Sequence, residues 1–210
     1  MALDIDKVYR FVQFVANKES RGWVSPEEIN IAAELSQIAV YSRIENAFLS
    51  NKKIHSDMRP FLRDADVSFG STSHSFPTAF RQLIRARVKS SGKKISELTQ
   101  AEYDDAADST IIPPETAYPA CVVKYDGIYV YPDTISEPIT VEFLAKLSTV
   151  PEWAYTLSSG RPVYDDVLSV DFEFDDNLFQ EIATNVLMNV GMNLKDESVT
   201  QYGMAFNTQK

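Results

Sequence analysis

An Asp126-Gly127 pair, set between Cys121-Val122-Val123-Lys124-Tyr125 and Ile128-Tyr129-Val130-Tyr131, is the stretch that most constrains what this chain can fold into. β-Branched and aromatic residues on either side of Asp-Gly form a strong hairpin signal, because both central residues of a two-residue turn need a positive φ. After a Pro132-Asp133 corner, Ile139-Thr140-Val141-Glu142-Phe143-Leu144 and Val150-Pro151-Glu152-Trp153 read as further strands. Cys121 to Trp153 is therefore expected to be an antiparallel meander, and nothing in it carries catalytic chemistry.

Helices are expected at both ends. Ile5, Val8, Val12 and Val15 recur at three and four residues, with Phe11 and Phe14 widening the stripe, which predicts an amphipathic helix over 4–18 ended by Gly22. Ser25-Pro26-Glu27-Glu28 is a capping box with proline at the first helical position, opening a second helix that runs to about Ser50. Ala32, Ala33, Ser36, Ala39 and Ala47 give that helix a small face for close approach, while Ile31, Leu35, Ile38 and Ile44 supply bulk. Near the other end, Phe179, Ile182, Ala183, Val186, Val190 and Leu194 share one helical face. The fold class is thus α+β: an N-terminal helical hairpin over 1–55 and a C-terminal helix over 175–195 form a small bundle. Between them lies a β-rich insert over 56–174, with one short helix near 99–109 opened by the Thr99/Glu102 capping box, and a polar tail follows over 196–210.

Charge is unevenly placed. From Phe80 to Lys89 apolar and basic residues alternate, so a strand would turn Phe80, Ile84, Ala86 and Val88 inward and line Arg81, Arg85, Arg87 and Lys89 along its outer face, with a helix as the competing reading. Lys93 and Lys94 extend this dense basic patch in a chain of net charge -10. It reads as a solvated sheet face or a contact for an acidic partner subunit or DNA phosphates. Asp165, Asp166, Asp171, Glu173, Asp175 and Asp176 precede the last helix. Such acids complement a helix dipole and cap its N–H groups; the competing reading is general acid/base or cation chemistry. Asp104, Asp105 and Asp108 read as a solvated helix face, and His55 and His74 as surface histidines without ligand-spaced neighbours. The single Cys121 reads as a small buried hydrophobe. Neither a cofactor nor a metal is expected. No signal-peptide pattern follows Met1 and no run approaches the ~18 apolar residues of a membrane span, so synthesis and assembly in a cytoplasm, away from membranes, are expected. Val199, Tyr202, Met204 and Phe206 are isolated apolar anchors in the tail, suited to ordering against a partner.

Three segments together carry a resemblance. They are Asp6-Lys7-Val8-Tyr9-Arg10-Phe11-Val12 leading into Arg21-Gly22-Trp23-Val24-Ser25-Pro26, the central strands through Trp153-Ala154-Tyr155, and Ser169-Val170-Asp171-Phe172-Glu173-Phe174 before the helix ending in Val190-Gly191. Over nearly its whole length the chain resembles a head-to-tail connector protein of the crAss-like phages of gut Bacteroides. Its order of elements is similar to that of the portal adaptors of short-tailed phages. One departure is that the surroundings of Lys146 lack the arginine-rich segment of the relatives' central strand. The resemblance implies a non-enzymatic virion protein at the head-tail junction. It would form a homo-oligomeric ring of twelve copies beneath the portal protein, offer a platform to the next tail ring protein, and let DNA pass its lumen without specific binding. Alternatives are another neck ring or a tail-fibre socket, a phage hydrolase using the acidic run, and an acidic DNA mimic. In a ring the contacts are heterologous, and Arg81, Arg85, Arg87 and Lys89 facing Asp165, Asp166, Asp171 and Glu173 of a neighbour are the candidate subunit interface. The tail anchors would lie on the portal.

Overall fold

The computed structural model describes residues 2–19, 24–51, 56–70, 72–109 and 113–194. In chain order its elements are β1 (Ala2–Leu3), α1 (Ile5–Glu19), α2 (Pro26–Asn51), β2 (Leu62–Val67), β3 (Phe80–Val88), β4 (Lys94–Glu97), α3 (Gln100–Ala107), β5 (Ala120–Val123), β6 (Ile128–Tyr131), β7 (Ile139–Ala145), β8 (Tyr155–Ser158), β9 (Arg161–Tyr164), β10 (Phe172–Asp175) and α4 (Phe179–Leu194). Short 3-10 turns lead into β2 and α4. The fold is mixed α+β, as expected, and divides into two units. One holds the chain up to Pro60 and again from Leu147; the other is Phe61–Lys146.

The insert is therefore shorter than 56–174, and Leu147 onward belongs with the helices. What holds it there is the hydrogen bonding of the 147–153 loop. Gln37 of α2 donates from Nε2 to the Thr149 carbonyl at 2.8 Å, and Asn30 accepts the Trp153 N–H at 2.9 Å. A loop satisfied by helix side chains packs with the helix whatever its distance in sequence.

In the helical unit α4 carries the packing of both N-terminal helices. The small residues of α2 permit a close approach: Asn189 of α4 reaches Ser36 Oγ at 3.2 Å, and Ser36 in turn donates to the Ala32 carbonyl. Farther along, Arg43 grips Glu181 with two bonds of 2.6 and 3.0 Å. Phe48, Phe172, Phe174, Ile182, Val186 and Val190 are fully or almost fully buried. The Ser25/Glu28 capping box forms as expected, with Glu28 accepting the Ser25 N–H at 2.9 Å and Ser25 Oγ accepting the Glu28 N–H at 3.2 Å. β1 pairs antiparallel with β10, tying the chain start to the strand before α4.

The β unit is one six-stranded sheet of order β2-β7-β3-β4-β5-β6, antiparallel except between β4 and β5. It is not the expected meander. β5 and β6 do form a hairpin, but β7 leaves it and pairs with β2 and β3. The seven-residue connection 132–138 does not confine the chain to the neighbouring edge as a tight turn would. Val150–Trp153 is not a strand either, apart from one bridge between Glu152 and Val170. The core side of the sheet holds Leu83, Ala86, Val88, Ile95, Ile128, Ile139, Val141 and Phe143. Cys121 lies among them, fully buried, and burial with Glu97 nearby pushes its thiol up to about 12. α3 carries the expected Thr99/Glu102 capping box and buries none of its residues, so its aspartates do face solvent.

Gly22, His55, Ile111, Ile112 and the tail anchors Val199, Tyr202, Met204 and Phe206 lie outside the described residues.

Candidate functional site

The basic row does fall on a strand, β3, but a bulge divides it. Leu83 stands opposite Phe143 and Arg85 opposite Glu142, so Ile84 is the extra residue. Past the bulge Ala86 and Val88 point to the core as expected; before it Leu83 takes the buried place assigned to Ile84. Cross-strand acids meet the cations. Arg85 Nε lies 2.6 Å from Glu142 Oε2 on β7, and Lys89 Nζ lies 2.7 Å from Asp66 Oδ2 on β2. The Lys89 and Thr140 hydrogen bonds hold the Asp66 carboxyl below its ordinary range. Arg81 also makes an interaction within the chain. Only Arg87 of the row, exposed, has no ion-pair partner among the described residues.

The acidic run is in the other unit and is likewise engaged at home. Asp165 Oδ1 accepts the N–H groups of Val167 and Leu168, and Asp171 accepts the Ile5 N–H at 3.0 Å, fixing the start of α1. Asp176 binds Lys7 at 2.6 Å. Glu173 takes both the Ser148 and Thr149 N–H groups at 2.6 Å and both of their hydroxyls at 3.0 Å. These carboxylates order loops and the α1 start, whereas the sequence reading assigned them to the dipole of the last helix. Asp175, at the head of the turn before α4, makes no side-chain cap bond. Among the described residues, Asp166 alone of the four interface candidates is exposed without a hydrogen bond. Glu173→Gln should speed hydrogen exchange at Ser148 and Thr149 and cost ~1–2 kcal/mol, the worth of charge-assisted bonds discounted for partial exposure. Unchanged exchange at both amides would contradict the pinning role.

His74 is not on the surface. Gly70 N–H bonds the Ser73 carbonyl at 2.8 Å, and this turn lays His74 along the outer edge of β6, where it exchanges two 2.9 Å backbone bonds with Ile128. The ring is fully buried, edge-on to Phe69, with Nε2 3.0 Å from the Glu137 carbonyl. A carbonyl only accepts, so Nε2 is the donor in this contact; Nδ1 has no partner among the described residues. The histidine closes a sheet edge that would otherwise be open. Among the described residues no group of three or more His, Cys, Asp or Glu side chains is placed to hold a metal, and no helix is long and apolar enough to cross a membrane.

What sequence reasoning missed is the exposed apolar surface of the helical unit. On α2 the bulky side chains Ile31, Leu35 and Ile38 are 55, 50 and 47% exposed, on the side opposite the small residues that meet α4. Beyond Trp153, β8 and β9 form a hairpin whose turn, Ser159-Gly160, has positive φ at both residues (52° and 77°). Its base is anchored by the rings of Tyr155 and Tyr164 stacked on Trp153. Its tip is exposed, with Leu157 opposite Pro162 on one face. The signal was available: with Ala32, Ala33 and Ser36 on one side and Ile31, Leu35 and Ile38 on the other, α2 is apolar over more surface than one partner helix covers.

No protein-family model matches this chain, and a search of curated proteins finds no match either.

Proposed function

We propose that this chain is a structural protein of a phage virion, a non-catalytic ring-forming adaptor beneath the portal protein that extends the DNA channel toward the next tail ring. The observation that carries the reading is the exposed apolar surface on both α2 and the β8–β9 hairpin, because surfaces of this kind mark sites of association. The resemblance supplies the setting, the head-tail junction, and the expected copy number of twelve. A net charge of -10 suits a lumen past which DNA slides without sticking. The engagement of Arg85 and Lys89 by Glu142 and Asp66 removes two cations from the one patch that would hold phosphates. Of the charge-paired interface of the sequence reading, Arg87 and Asp166 are the members left with neither a hydrogen bond nor an ion pair among the described residues, so apolar contact is the main source of subunit cohesion.

Native mass spectrometry of the purified chain mixed with a portal ring from the same phage tests this. The expected product is a portal complex carrying a fixed, ring-sized number of copies. A chain that ignores the portal and binds a lower tail ring instead would place it elsewhere in the neck or tail.

A further inference from the structure

We propose that the β8–β9 hairpin of one copy docks on the α2 stripe of a second copy, head to tail, both on a template and in free solution. The inference deepens the ring reading, on which it rests for closure of the ring, and names the two patches that such a ring requires.

Three features select this pairing. First, the patches are different surfaces, a helix face and the exposed tip of a hairpin, as a heterologous contact demands. Second, they match in length. Ile31 to Ile38 covers eight residues of helix, ~12 Å, and the four-residue strands of the arm span ~13 Å. Third, their charges are complementary. Glu27 and Glu34 flank the stripe, are exposed, and make no ion pair among the described residues. Arg161, at the arm's tip beside Ser158, is exposed and equally unpaired among the described residues. Stripe against stripe would set like charges side by side, whereas arm on stripe puts Leu157 and Pro162 over Leu35 and leaves Arg161, on the other face at the hairpin's tip, to reach around the turn toward Glu34.

Cysteine crosslinking of the full chain decides it, since buried Cys121 gives little background. Leu35→Cys and Leu157→Cys are made as separate variants at exposed positions, checked for unaltered circular dichroism, and oxidised with copper phenanthroline alone and mixed, at the highest soluble concentration. The mixture is expected to yield at least ~10-fold more disulfide dimer than either variant alone, the ratio that corresponds to about 1.4 kcal/mol of preference. Both substitutions in one chain should give a ladder of covalent multimers. Glu34→Arg should cut the yield in the mixture, and Arg161→Glu on the arm partner should restore it. No disulfide in the mixture, or as much from Leu35→Cys alone, overturns the proposal. A portal-bound ring without this crosslink would leave the adaptor reading standing and remove the contact; a crosslinked ladder with no portal binding would do the reverse.

Discussion

Replacing Trp153 with alanine is expected to destabilise the helical unit by ~3–5 kcal/mol, the usual range for deleting a buried aromatic ring. Few side chains here are held from so many directions. The indole is 4% exposed and lies flat on Tyr9, with ring centroids 3.8 Å apart and planes 4° from parallel. Its Nε1 donates to Asp6 Oδ1 at 3.0 Å, and Arg10 holds the other oxygen of that carboxylate at 2.7 Å. The backbone at 153 bonds Asn30 of α2, and Tyr155 and Tyr164 stack on the ring at the base of the arm. One residue thus joins α1, α2 and the hairpin. Trp153→Phe separates the parts, because it keeps a stackable ring and loses the bond to a buried carboxylate, worth ~1.5–3 kcal/mol. Urea unfolding followed by circular dichroism gives both values. Equal losses for the two variants would mean that the hydrogen bond to Asp6 dominates, and a loss under ~1 kcal/mol for alanine would remove Trp153 from its joining role.

Local signals were legible where local chemistry decides. Both capping boxes and the two long N-terminal helices follow from spacing alone, since each is satisfied by atoms within a few residues, and alternation favoured the strand from Phe80 to Val88 although its ladder partners are distant. Features that depend on distant chain were not legible. Nothing near Ile139 says that it leaves Tyr131 for Val67 and Val88, and nothing near His74 says that Ile128 waits for it. The candidate interface shows the same division. Alternation located the basic row, but Glu142, which engages Arg85, lies 57 positions along the chain, and Asp66, which engages Lys89, lies 23 positions before it. The acidic run was visible as composition, and its use was not. Glu173 answers to Ser148 and Thr149, which no helix-dipole argument would name.

Gly127 shows how a correct motif can rest on the wrong cause, and it yields the second large prediction. Asp126-Gly127 was expected to need a positive φ, yet neither residue has one; the turn with two positive φ values is Ser159-Gly160. What glycine does at 127 is give room. A Cβ there would stand 2.7 Å from the His74 carbonyl oxygen and 2.8 Å from Ser73 Oγ, and that carbonyl is already bonded to the Ile128 N–H. A serine hydroxyl can rotate away, but a carbonyl fixed in a ladder cannot, so the edge formed by His74 must lift. Gly127→Ala is expected to cost the β unit ~1–3 kcal/mol, the price of overpacking a closed site. Hydrogen exchange at His74 and Ile128 should quicken with it. Gly160→Ala is the contrast. Its Cβ would meet open space, so only the left-handed backbone resists, at ~1–2 kcal/mol, and the effect stays in the arm. Adding Ser73→Ala to Gly127→Ala should recover little, because the backbone contact remains. Full recovery would show that the side chain, and not the His74 edge, sets the need for glycine.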